Sequence, residues 1–154
     1  MQDLWIFNVA FRWIHLTAAV VLVGGVLYAR YIQWPAADST LTPPQQQDQQ
    51  IQINNRWRVA VAVASAFLVA SGFYQVMAIA LPKAGGLPAY QFLLGGKIVI
   101  ALVLFFLVGV TAGRSSALAA MRQRVHLWLS LAGGLGLLIL LISAVLRYLP
   151  ITVP

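Results

Sequence analysis

Apolar positions in this chain run in long unbroken stretches, without the alternation of a half-buried strand or the three-to-four spacing of a surface helix. Four stretches stand out, approximately Leu4 to Tyr31, Trp57 to Leu81, Leu93 to Gly113 and Val125 to Tyr148. A bilayer core about 30 Å thick takes about 20 helical residues per crossing, so each stretch predicts one transmembrane helix. The expected fold is all-α: an integral membrane four-helix bundle, one domain over residues 1–154, antiparallel up-down, with the N and C termini on the same side. The connection around Pro82, Gly85, Gly86 and Pro88 is short and turn-rich, which makes helices two and three antiparallel neighbours. Residues 32–56 read as a polar loop, punctuated by Trp34-Pro35 and Pro43-Pro44 and followed by the glutamine-rich run Gln45 to Gln52. Its second half can form a solvated helix leading into the second crossing, because glutamine is a fair helix former.

Composition then fixes the solvent. With 61% hydrophobic and 8% charged residues, there is too little polar side chain to cover a soluble domain, and the lipid bilayer becomes the chain's first partner. A net charge of +7 would suggest nucleic acid in a soluble protein. Here the basic residues sit at helix ends, facing headgroups, and no nucleic-acid partner is expected. The first stretch has acidic Asp3 where a signal peptide is basic and outlasts an h-region, so it reads as a retained helix. The absence of cysteine excludes disulfides, thiolate metal sites and thiol catalysis.

The distribution of the basic residues sets an orientation. Arg30, Arg56 and Arg58 flank the first connection and Arg114, Arg122 and Arg124 the third, against Arg12, Lys83, Lys97 and Arg147 on the other side. This bias places connections one and three in the cytoplasm. The expected location is the inner membrane of the cell, multi-pass, with both termini periplasmic. Tyr31, Trp34, Trp57 and Trp128 mark one interface, and Trp5, Trp13, Tyr90 and Tyr148 the other.

Chemistry has to come from polar groups at membrane depth, where an ionisable side chain costs about 2.5–3.5 kcal/mol on insertion scales. His15 lies fifteen residues before Arg30, ~22 Å along a helix at ~1.5 Å per residue, which puts it in the outer half. Lys97 lies a few residues inside the outer end of helix three, near the same depth, so the two can meet across the bundle. The competing uses are a neutral imidazole bonded to a neighbour and a lysine snorkelling to headgroups. His126 follows Arg124 by two residues, ~3 Å at ~1.5 Å per residue, so one iron cannot bind both histidines of a protomer. It reads instead as an interfacial histidine. A second ligand beside His15 for iron or copper can come from Met77, twenty residues past Trp57 or ~30 Å along helix two, or from Lys97, while the ordinary use of Met77 is apolar packing. Arg12 and Arg147, also near the outer end, can pair with haem propionates.

The segment His15-Leu-Thr-Ala-Ala-Val-Val-Leu-Val-Gly-Gly25-Val-Leu-Tyr28-Ala-Arg30 resembles the opening helix of the HemJ-type protoporphyrinogen oxidases and the related CopD-type copper-resistance membrane domains. Those carry a histidine, a glycine about ten residues on, then Tyr and Arg. Gly96-Lys97-Ile98-Val99 is similar to the start of their third helix. The two segments cover about a third of the chain. Ahead of the last helix, where the HemJ pattern has Asn-Glu-x-Pro, this chain reads Arg122-Gln-Arg-Val-His126-Leu-Trp128. The resemblance implies a site lined by His15 and Lys97, with haem b as cofactor and a tetrapyrrole oxidation as the activity, or copper handling as the alternative.

A third class also fits the residues, a non-catalytic accessory subunit of a respiratory or photosynthetic membrane complex, packed sideways in a homo-oligomer or larger assembly. Paired carboxylates, a Ser-His-Asp set and a phosphate-binding glycine loop are all missing from the sequence, and the three acidic residues lie in soluble segments.

Overall fold

The computed structural model describes residues 2–80, 88–112 and 124–148. Helix α1 (Gln2–Tyr28) passes through a wider π-helical turn (Ala29–Gln33) into α2 (Trp34–Thr40). After a break at Leu41 and Thr42, α3 (Pro43–Gln75) continues into a second π-helical turn (Val76–Ala80). Helices α4 (Pro88–Ala112) and α5 (Val125–Tyr148) complete the chain. Lys83, Arg114 and Arg122, and the turn around Gly85 and Gly86, lie outside the described residues.

Among the described residues four helices are long and apolar enough to cross a membrane, and the protein is a multi-pass, all-α bundle. Around the ring, α1 packs on α3, α3 on α4, α4 on α5, and α5 back on α1. Helices α1 and α4 therefore face each other diagonally through the interior. In lipid every backbone polar group has to be satisfied within its own segment, which is why these stretches are helical throughout.

The interior is lined by small and medium side chains at helical spacing. These are Ala18, Leu22 and Val26 on α1, Val61, Ala64, Leu68 and Ser71 on α3, and Leu104, Leu107, Val108 and Thr111 on α4. Large apolar groups point outward, Phe92 being 81% and Val20 70% exposed. That inversion of a soluble protein's pattern suits lipid contact. Glycines decide how closely α5 meets α1, since a Cβ at Gly133 would lie 2.9 Å from Leu27 and one at Gly136 2.9 Å from Val23.

In residues 32–56 the solvated helix open to the second half is present, and the departure from the sequence reading lies in the first half, which is helical as well. Apart from Leu41 and Thr42 the whole stretch is helical, so that α2 and the start of α3 form a polar helical hairpin, an arm standing on the bundle. The candidate spans Trp5–Thr40 and Pro43–Ala78 each have 36 residues, about 54 Å at ~1.5 Å per residue, so roughly 20 Å projects beyond a ~30 Å core. Hydrophobicity stops at the interface, but backbone helicity does not have to.

The hairpin turn is fastened by local chemistry. The Thr42 amide and hydroxyl both donate to Gln45 Oε1, at 3.0 and 2.9 Å, within a capping box at the start of α3. Gln46 Nε2 donates back to the carbonyls of Leu41 (3.1 Å) and Ala37 (3.3 Å). Losing a cap of this kind costs about 1 kcal/mol. Thr42→Ala is therefore expected to speed amide exchange at Gln45 and Gln46 about fivefold, leaving the exchange of α4 unchanged.

At its base the arm is tied to α5. Arg30 Nε donates to Ser130 Oγ at 2.8 Å, and the edge of the His126 ring meets Trp34, with centroids 4.9 Å apart.

Candidate functional site

The polar groups buried inside the bundle are few, and their hydroxyls are accounted for by their own helices. Ser71, Thr111 and Ser143 donate to the carbonyls of Phe67, Val108 and Ile139 respectively, the usual way a hydroxyl is carried in an apolar helix. Ser71 is the one that also meets an ionisable side chain. Its Oγ lies 2.9 Å from His15 Nδ1, and Ser71 itself is only 1% exposed.

This pair assigns the imidazole tautomer. Ser71 has a single proton and gives it to the Phe67 carbonyl at 2.5 Å, so toward His15 its oxygen accepts. Nδ1 then carries the hydrogen, and in the neutral ring Nε2 keeps its lone pair. Next along α3, Gly72 makes room for the ring: a Cβ there would lie 3.3 Å from His15 Cε1. Ser71-Gly72 thus forms a socket of one acceptor and one missing side chain.

Lys97 enters from the diagonal helix. It is half-buried, on the helix that stands diagonally across the bundle from the one carrying His15. On the same face of α4, Ala101 is half-buried, Leu104 4% exposed and Val108 fully buried.

The other expected participants lie elsewhere. Met77 sits in the second π-helical turn and is 51% exposed, facing away from the interior stripe of α3. Arg12, one turn before His15, and Arg147, in the last turn of α5, are both exposed. His126 lies in the first turn of α5 against Trp34, at the opposite end of the bundle from His15.

Above the socket the outer end is laced between α1 and α3. Tyr74 donates to Asn8 Oδ1 at 2.9 Å and stacks on Phe11, with centroids 4.1 Å apart. Gln75, one turn beyond Ser71, holds a buried amide nitrogen without a hydrogen-bond partner.

A neutral imidazole held at one ring nitrogen by a hydroxyl offers its other nitrogen to a proton or a metal ion. Among the described residues no three His, Asp or Glu side chains converge. Two clefts that open on the described surface are lined by neither His15 nor Lys97.

No family model, curated protein or solved structure matches the chain. What the site can do therefore follows from its own geometry.

Proposed function

We propose that this chain is a haem-linked membrane protein of the HemJ/CopD-like kind, holding a b-type haem through Nε2 of His15 in the outer half of the bundle. One observation carries this reading: His15 Nδ1 lies 2.9 Å from Ser71 Oγ, whose own proton goes to the Phe67 carbonyl, so that Nε2 is left as the lone-pair donor. A bound haem would supply a one-electron couple. The chain's own part is to orient the imidazole, exclude water with Leu104, Val108 and Leu68, and handle a proton at Lys97 Nζ. If a tetrapyrrole is the substrate, as the resemblance implies, Lys97 in its neutral form is the base, because Nε2 is then committed to the iron.

Pyridine haemochrome and metal analysis of the purified protein test this reading. One haem per chain supports it. Copper at the same nitrogen moves the protein to the copper-handling class, and neither leaves the accessory subunit.

We also propose an inner-membrane location with the arm in the cytoplasm and the termini in the periplasm, on the excess of arginine at the arm end. A cysteine replacing the exposed Gln49 should then label only from the cytoplasmic side, and one replacing Pro88 only from the other. The reverse labelling would invert the orientation without touching the His15 site.

A further inference from the structure

At the arm end, far from His15, a cleft of about 320 Å³ opens between the start of the arm, α3 and α5. Its lining combines apolar and polar groups. Gly25, Ala29, the 4%-exposed Leu129 and the rings of Trp34 and Trp57 are apolar, Gln33 and Thr111 are polar, and the exposed Arg56 supplies a positive charge. Gly25 lets the Trp57 ring edge pack directly on the backbone of α1, since a Cβ there would lie 2.1 Å from Trp57 Cη2, and the two together wall one side of the cleft.

The position matters as much as the shape. The arm rises from the bundle where hydrocarbon gives way to headgroups, and tryptophan belts mark that level in membrane proteins. A mostly apolar cleft with one guanidinium at this depth matches an amphiphile with one anionic head and a hydrocarbon tail. The chain itself is poor in anions, having three acidic residues against ten basic ones. We infer that this cleft binds an anionic phospholipid, its phosphate on Arg56 and an acyl chain against Gly25, Ala29 and Leu129. Arginine suits the role, since its planar fork meets phosphate oxygens two at a time.

This site is independent of the haem reading and is tested without it. The full chain is reconstituted in phosphatidylcholine nanodiscs containing acyl-brominated phosphatidylglycerol or, separately, brominated phosphatidylcholine, and tryptophan fluorescence is followed. Half-quenching should need about fivefold less of the anionic lipid, the order expected for one basic residue at a membrane surface. Arg56→Gln should erase that difference. Arg58→Gln, at an exposed arginine that does not line the cleft, should preserve it. Glycerol 1-phosphate added in solution should not compete, because it lacks the chain. Equal quenching by the two lipids, a preference that survives Arg56→Gln or falls equally with Arg58→Gln, or competition by glycerol 1-phosphate would each overturn the assignment.

Discussion

Gly25→Val is expected to destabilise the bundle by about 3 kcal/mol or more, visible as a large drop in the melting temperature in a fixed detergent. The added Cβ would lie 2.1 Å from Trp57 Cη2 and 2.5 Å from Cζ3, so the ring would have to leave its seat or α1 would have to move off α3, its most extensive neighbour. Overpacking of a close contact ordinarily costs about 1–3 kcal/mol, and here the obstacle is a rigid indole, which cannot give way as a flexible side chain does. Gly24 and Gly109 provide the internal comparison, since a Cβ at either meets nothing within 4 Å. Alanine at those positions should be neutral or stabilise by up to about 1 kcal/mol, through the helix propensity it adds. If Gly25→Val melted with the wild type while Gly24→Ala did not, the packing of α3 on α1 would be wrong.

Ser71→Ala is the second large effect expected, and it acts on binding more than on folding. Removing the hydroxyl takes away the acceptor of His15 Nδ1–H, leaving a buried donor unpaired at about 1–3 kcal/mol and freeing the tautomer to switch. Loss of an outer partner of this kind typically lowers metal affinity about 10–100-fold. Haem affinity measured by titration should fall by that order, while Ser71→Thr, which keeps an oxygen in place, should recover most of it. A purely structural serine would show the opposite pattern. Alanine would then be tolerated, and threonine would suffer from its extra methyl group.

The four crossings are legible in the sequence because their signal is length and apolarity, which lipid demands regardless of how the helices pack. The second half of the arm is legible as a solvated helix from its glutamines, but the first half is not, since the hydrophobic pattern ends near Tyr31 while the backbone continues as helix to a turn held by the cap at Thr42 and the side chain of Gln46. Counting residues from the interface suffices to put His15 and Lys97 at one height, because rise per residue is nearly constant. The same count does not choose a face. Met77 reaches the right end of α3, yet six residues from Ser71 is ~240° of net rotation at ~100° per residue, which turns it outward to 51% exposure. Ser71 and Gly72, which form the socket, are hidden among many serines and glycines of apolar helices. Their signal lies in the spacing Ala64, Leu68, Ser71, an interior stripe at which a lone hydroxyl requires a reason.

The measurement that bears most directly on His15 as the ligand is the oxidised and dithionite-reduced absorption spectrum of the detergent-purified protein beside that of His15→Ala, with Lys97→Met and His126→Ala as companions. The wild type and His126→Ala should both show the sharp reduced-minus-oxidised bands of a b-type haem. His15→Ala should lose them, and Lys97→Met should weaken or shift them without loss of the folded bundle. A wild-type spectrum that survives His15→Ala intact, or one that disappears only with His126→Ala, would contradict the account.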